Sequence, residues 1–348
     1  MRALHPSIER LRGAVTGRRA VVTGGAGFIG GHLTEALLTL GASVAVIDDL
    51  STSKAETIAE LVERHPDRCD FLHASVLEPS AVREAMRGAS MVFHLAAMSA
   101  VPRSIEEPER CFAVNVMGTV RVAEAARRAG VGRFVVASSS SVYGGGGTDQ
   151  PVEESTLADP MSPYAASKLA AEHVVTAWTR SLGLPGISLR YFNIFGPRQP
   201  ADSAYAAVIP AFIDAAQRGA APKINGDGSF TRDFTHVDNA VLANLLAATA
   251  PADRVRGQAI NVGCGARVSI RELAARVARA AGAEAIAPEF GPVRAGDVPH
   301  SLASVERARA ELGYEVIRGL DEGLAETAAW AASQRPGGDR PTVIARIG

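Results

Sequence analysis

The feature that most narrows the fold of this chain is an alternation of two kinds of segment. Short apolar runs, without the polar alternation of a half-exposed strand, recur at Ala20–Thr23, Ser43–Ile47, Met91–Leu95, Arg133–Ser138 and Gly186–Tyr191. Between them lie Ile29–Leu40, Ser80–Arg87, Val114–Ala129 and Tyr164–Ser181, where apolar residues return at helical spacing. A strand that is apolar on both faces has to be covered on both faces. Strands of that kind separated by helices make parallel βαβ units, so we expect an α/β fold built on a doubly wound parallel sheet. After about Phe192 the rhythm breaks, and Pro and Gly become frequent in GPRQP, NGDGS and FGPVRAGDVP. A smaller lobe, interleaved with the last elements of the sheet, is expected there.

Charge and composition exclude several classes of function. The 348 residues carry a formal net charge of −1, so no basic excess is available to hold nucleic acid. No stretch reaches the roughly 20 apolar residues that a membrane helix needs. The start, MRALHPSIERLRG, is charged and has no apolar centre, which predicts neither signal peptide nor anchor. Cys69, Cys111 and Cys264 form no CxxC pair, and reduced thiols in a cytoplasmic protein are the expectation. No metal site is expected. Basic residues are nearly all arginine, the only lysines being Lys54, Lys168 and Lys223. A lysine kept against that background marks a place where arginine would fail.

Val21-Val22-Thr23-Gly24-Gly25-Ala26-Gly27-Phe28-Ile29-Gly30 leaves the first apolar run and enters the first helical segment. Gly24, Gly27 and Gly30 form GxxGxxG, a spacing variant of the dinucleotide fingerprint. Glycines there let the backbone approach a pyrophosphate, which then sits on the helix N-terminus. Alone, such a triplet also fits a tight turn with no ligand. About twenty residues on, Val46-Ile47-Asp48-Asp49 places an acid where both ribose hydroxyls of an adenosine can be met. A carboxylate repels a 2′-phosphate, which predicts NAD over NADP; the alternative is that Asp48 or Asp49 only caps its turn.

Ser162-Pro163-Tyr164-Ala165-Ala166-Ser167-Lys168 reads as a helix start, with Ser162 as N-cap and Pro163 in the first turn. Tyr164 and Lys168 then share one face. An ammonium beside a phenol, together with an oxidised nicotinamide, would favour the phenolate and let Tyr164 act as a base near neutrality. By itself this spacing also fits a surface pair. Upstream, the fourth apolar run leads into Ser138-Ser139-Ser140-Ser141-Val142-Tyr143-Gly144. Strand ends at the carboxyl edge of such a sheet are where ligands bind. The serine run is read as active site rather than solvated loop because it stands between the glycine turn and the Tyr/Lys helix.

Taken together, TGGAGFIG, FHLAA (Phe93–Ala97), NVMGT (Asn115–Thr119), SSSSVYG, SPYAASK and LRYFNIFGPRQ, in this order, resemble the extended short-chain dehydrogenase/reductase family in its nucleotide-sugar epimerase branch. The likeness runs from about Arg19 to about Ala332. It implies a Rossmann-type sheet and NAD lying against Gly24, Gly27, Phe28, Ile29, Gly30, Asp48, Asp49, Leu95, Ala96, Ala97, Asn115, Tyr164 and Lys168. Asn115 would support the active-site helix beside the cofactor. Ser139, Tyr164 and Lys168 would be catalytic. Ser140, Ser141, Asn193, Arg232, Arg294, Asp297 and Ser301 would meet the substrate, the arginines neutralising its diphosphate. Where the family carries Gly-Asp near the adenine, this chain has Ala74-Ser75. On this reading residues 1–17 are an N-terminal extension without an assigned role, 18–192 the NAD-binding domain, and 193–348 mainly a substrate lobe.

Dehydratases of this family carry Asp-Glu, and decarboxylases a Glu, where this chain has Ser140 and Ser141. Serines are poor acids, so dehydration is disfavoured. The resemblance implies a UDP-sugar 4-epimerase that oxidises C4 transiently and returns hydride to the other face. Ser301, matching a gate position, implies room for an N-acetyl group, hence UDP-N-acetylglucosamine as well as UDP-glucose. A UDP-glucuronate epimerase or decarboxylase, or another nucleotide-sugar dehydratase or reductase, is the alternative; a non-catalytic dinucleotide sensor is the remote one. Family analogy also implies a homodimer through the segments near Cys111–Ala129 and Tyr164–Ser181.

Overall fold

A computed structural model describes residues 3–145, 150–201, 207–293 and 298–335. Arg294 and Asp297 lie outside the described residues. The strands β1 (Arg19–Thr23), β2 (Ser43–Asp48), β3 (Cys69–His73), β4 (Met91–His94), β5 (Arg133–Ser139), β6 (Gly186–Tyr191) and β7 (Ala259–Val262) make one parallel sheet, in the order β7-β6-β5-β4-β1-β2-β3. This is the doubly wound α/β fold that the apolar runs imply.

Neighbouring residues of a strand serve opposite cores. Val21, Ala45, Ile47, Val92, Phe134 and Val136 pack on one face with α2 (Gly118–Arg128) and α3 (Pro163–Leu182). Val22, Val46, Phe93, Val135 and Leu189 pack on the other with α1 (Phe28–Thr39) and α4 (Val237–Thr249). Both faces are apolar, which is why the strands show no alternation. A third core joins Phe195, Ile209, Phe212, Ile213, Leu273 and Leu324, from helices Val208–Gln217, Ile270–Ala281 and Leu320–Ser333 and the chain beside them.

Two local features depart from the sequence reading. The segment expected as one helix over Val114–Ala129 opens with a π turn, Ala113–Met117, before α2 begins. That extra residue in the turn belongs with the inward placement of Asn115, which is buried. The strand β7 is absent from the apolar runs because it is short and carries a buried Asn261 at its centre. Ahead of the sheet, Ile8 and Val15 bury into the α1/α4 core, while Ser7 and Arg10 bond Glu315, so the extension is packed onto the body.

Candidate active site

The strand order reverses between β1 and β4, which opens a crevice at their carboxyl ends. A cavity of about 260 Å³ lies there. Its floor is the β1–α1 turn. Gly24 stands in the left-handed region at φ +70°, and a Cβ on it would sit 2.7 Å from the backbone nitrogen of Ala96. A Cβ on Gly30 would lie 2.0 Å from the carbonyl oxygen of Gly24. Gly27 is the N-cap of α1, so the unpaired N–H groups of the first turn face the cavity. The turn is therefore a backbone cradle that side chains would fill, and it fits a dinucleotide diphosphate.

Phe28, Ile29, Asp48, Asp49, Leu95, Ala96, Ala97, Tyr164 and Lys168 line the same cavity. Asp48 does more than the sequence reading asked of it. Its Oδ2 accepts the Ala26 N–H at 3.0 Å, tying β2 to the glycine turn. Its Oδ1 accepts from Leu50 N at 2.9 Å and Ser53 Oγ at 2.8 Å. Turn capping and cavity lining are thus one arrangement of one carboxylate. Ala74 and Ser75 also border the cavity, with Ser75 Oγ accepting from Leu77 N.

Asn115, expected both beside the cofactor and as a support, stands behind the cavity wall. It does not line the cavity; its Oδ1 accepts the Met98 N–H at 2.8 Å, and its Nδ2 donates to Met98 O at 3.1 Å and Ser167 Oγ at 2.9 Å. It clamps the loop after β4 to α3. Ser162 caps α3 by accepting the Ala165 N–H at 3.2 Å, and Pro163 occupies the first turn. Tyr164 is half-buried, and Ser139 lies near enough to favour its phenolate. Ser139 also accepts from Ser141 N and, at 2.9 Å, from Ser141 Oγ. Lys168 is buried and its Nζ donates to the Ala137 carbonyl at 2.9 Å.

The electrostatic balance differs from the expectation for a bare Tyr/Lys pair. Lys168 Nζ lies 5.9 Å from the centre of the Tyr164 ring. Desolvation pushes the Tyr164 phenol above its ordinary value, and the Ser139 hydrogen bond only partly opposes this. Burial also pulls the Lys168 ammonium down to about 8, against nearby groups that raise it. The ammonium therefore does not by itself make Tyr164 a phenolate.

Asn193, Arg232 and Ser301 form a second group, outside the cavity lining. Asn193 is exposed and donates from Nδ2 to Asp233 O at 3.3 Å. Arg232 Nη1 donates to Thr231 O and Pro299 O, and Ser301 N donates to Thr231 O at 3.1 Å. Buried Asp233 holds the loops around them by accepting from Cys264 N and Gly265 N at 2.8 and 2.9 Å. Ser140 and Ser141 form a tight turn after β5 and do not line the cavity.

Arg103 and Arg110 line the cavity and escaped the sequence reading, whereas Ser138, also in the lining, belongs to the serine run read as active site. Arg103 carried a usable signal, an arginine in the helix Val101–Glu106 shortly after the strand-end loop. Glu107 accepts from Arg103 Nε at 3.0 Å and from Arg110 Nη1 at 3.1 Å, which holds both cations on this side. The carboxylates among the described lining residues are Asp48 and Asp49, at the end of β2, so none stands beside Tyr164. Away from the cavity, His236, Asp238 and Glu326 approach one another, but Arg318 already pairs with both carboxylates. That cluster is an ion-pair network with its own cation.

Residues 20–263 match the model of the NAD dependent epimerase/dehydratase family. A UDP-glucose 4-epimerase of Mycolicibacterium smegmatis is 39% identical over 310 residues, covering 89% of this chain and 97% of that protein. Among solved structures, a UDP-N-acetylglucosamine 4-epimerase from Methanobrevibacter ruminantium, in complex with UDP-N-acetylmuramic acid, superposes with a TM-score of 0.85 at 34% identity. It covers 92% of this chain and 100% of that one. A dTDP-glucose 4,6-dehydratase from Streptomyces venezuelae, solved with NAD bound, gives 0.82 at 31% identity over 91% of this chain and 98% of that one. The fold is thus common to epimerases and dehydratases, and the choice between them falls to the site.

Proposed function

The chain belongs to the NAD-dependent epimerase/dehydratase family, and from that we propose a nucleotide-sugar 4-epimerase acting on UDP-N-acetylglucosamine and UDP-glucose. The observation that carries this reading is Tyr164 and Lys168, one turn apart on α3, lining the cavity where β5 ends in Ser139, with serines rather than carboxylates at positions 140 and 141. A dehydratase has to protonate a leaving hydroxyl. An epimerase needs only a group that takes and returns one proton.

In this reading the glycine turn receives the NAD diphosphate on its N–H groups, with Arg103 and Arg110 supplying positive charge across the cavity. Asp48 and Asp49 face the adenosine ribose. When bound, NAD supplies a reversible hydride acceptor and a positive charge on its nicotinamide. Lys168 holds the nicotinamide ribose. Tyr164 takes the proton of the sugar C4 hydroxyl, with Ser139 sharing the hydrogen bond, and gives it back after the sugar has turned about its diphosphate link. Asn193 and Arg232 keep that diphosphate in place during the turn. Ser301 leaves space for an N-acetyl group. Arg294 and Asp297 are assigned to the substrate on sequence likeness alone.

We read residues 18–192 as the NAD-binding domain and 193–348 as mainly the substrate lobe. Among the described residues no helix is long and apolar enough to cross a membrane. A cytoplasmic homodimer is the proposed working form. Phe112, Met117 and Leu182 are exposed near the two helical segments expected to pair, which supports it.

Purified protein is expected to convert UDP-N-acetylglucosamine and UDP-glucose to their C4 epimers with no net NADH and no requirement for added reductant. Chromatography with NMR of the products checks this, with UDP-glucuronate run in parallel. A 4-keto-6-deoxy product, carbon dioxide release, or no product with NAD supplied would each remove the proposal. Cofactor choice has its own test. Asp48→Asn keeps one acceptor oxygen, enough for either the Ala26 or the Leu50 N–H, and removes the charge that opposes a 2′-phosphate. Preference for NAD over NADP is expected to fall by about 10-fold or more, since a like-charge clash is worth several kcal/mol. Equal selectivity in wild type and variant, by cofactor titration, would take Asp48 out of that role.

A further inference from the structure

A buried chain of polar groups leads from the candidate active site to the segment carrying Ser301, and the chemistry proposed above does not use it. Glu172 stands one helical turn beyond Lys168 on α3 and is buried. Its carboxylate accepts from Arg190 Nε at 2.8 Å and Nη2 at 2.7 Å, a two-pronged pair, and from Ser138 Oγ at 2.5 Å. Ser138 directly precedes Ser139 at the end of β5, and Arg190 is its register partner on β6. The remaining arm of Arg190, Nη1, donates to Tyr143 Oη at 2.8 Å, and the guanidinium lies 4.7 Å from the centre of that ring.

Tyr143 Oη donates to Asn261 Oδ1 at 2.6 Å. Asn261 Nδ2 then donates to Val152 O at 2.9 Å and Ser304 O at 3.2 Å. Val152 N donates to Leu302 O at 2.8 Å, and Ser304 N donates to Val152 O at 3.0 Å. Ser301 directly precedes Leu302 along the chain. A buried ion pair is seldom the most stable way to fill its space, because both charges are desolvated. Fully satisfied, such a network fixes geometry. This one spans three strands and a helix that hold the proposed base, its serine partner and the proposed gate.

We propose that Glu172, acting through Arg190 and Tyr143, is a positioning residue. It holds the serine end of β5 against the Tyr164/Lys168 helix and carries that register to the Ser301 segment. Discrimination between sugars is therefore set in part by groups that never touch substrate. The inference rests on the epimerase reading for its substrates but not for its geometry.

Tyr143→Phe removes one hydroxyl from the middle of the chain and leaves the ring and the Glu172–Arg190 pair. Amide hydrogen exchange at Val152 and Ser304 is expected to quicken by about 10-fold, with the Gly24–Gly30 turn and NAD affinity unchanged. The KM for UDP-N-acetylglucosamine relative to UDP-glucose should move by about 5-fold while kcat changes less than about 2-fold. Glu172→Gln, which perturbs the other end, should lower kcat by about 10-fold at nearly constant KM. Its exchange at Val152 and Ser304 should also quicken, so either variant decides the matter if the other does not fold. Unchanged exchange at both amides, or kinetic losses that merely track the folded fraction, would overturn the coupling. A wild-type protein that epimerises no UDP-sugar would instead overturn the functional reading and leave the exchange result to judge the network.

Discussion

Replacing Tyr164 by phenylalanine is expected to cut turnover by about a thousand-fold or more while NAD stays bound and the protein stays folded. The size follows from general acid–base catalysis, which contributes roughly 10²- to 10⁴-fold when one positioned group moves the proton. The substitution removes a single oxygen. The helix start is untouched, because Ser162 caps it through the Ala165 N–H and Ser104 Oγ accepts the Tyr164 backbone N–H. Lys168 keeps its bond to the Ala137 carbonyl, so the cofactor side of the cavity is preserved. What is lost is the oxygen proposed to take the proton of the sugar C4 hydroxyl. Single-turnover product analysis, with NAD content and a thermal melt on the same sample, checks each part. Turnover within about 10-fold of wild type would mean that another group moves the proton. Loss of NAD along with turnover would make Tyr164 a cofactor contact first.

Much of this site could be read before any coordinates because its signals are local. The glycine turn needs only spacing: Gly24, Gly27 and Gly30 lie within one strand-to-helix connection, and close backbone packing explains each choice. The α3 start is similarly self-contained, since Ser162, Pro163, Tyr164 and Lys168 are related by one helical turn. Lys168 also stands out against the arginine-rich background, and it is buried with its Nζ on the Ala137 carbonyl.

What could not be read depends on distant partners. Asn261 has no meaning in a run of four residues, yet it joins Tyr143 to the loops at Val152 and Ser304. Asn115 was placed beside the cofactor by motif order, whereas the π turn aims its amide at Met98 and Ser167. Arg103 and Arg110 line the cavity with Glu107 bonded to both, an arrangement that spacing alone does not reveal. The surroundings of the Tyr164 phenol are illegible for a different reason. Sequence spacing shows that an ammonium is near but carries nothing about desolvation, which outweighs the benefit at this distance.

Gly30→Ala should abolish NAD retention, lowering affinity by more than about 100-fold, and should also destabilise the fold by about 1–3 kcal/mol, the usual cost of overpacking. A methyl group at this position would lie 2.0 Å from the Gly24 carbonyl oxygen and 2.8 Å from the Gly25 Cα. Those neighbours are backbone atoms of the same turn, so no side chain can swing aside. Relief requires α1 to move away from β1, and that separates the helix N-terminus from the diphosphate it is meant to receive. The turn cannot follow, because Gly24 is itself pressed against Ala96 and Ala26 N is held by Asp48. Gly31→Ala is the matched control. Its methyl would meet the Thr57 Cγ2 at 3.3 Å, a contact a side chain can ease, and NAD binding should stay within about 3-fold of wild type with only a small stability change. Calorimetric NAD titration and thermal melts of the two variants separate the effects. Near-normal NAD affinity in Gly30→Ala would show that the diphosphate does not sit on this turn. A comparable loss in Gly31→Ala would show that the helix, rather than the turn, is the sensitive element.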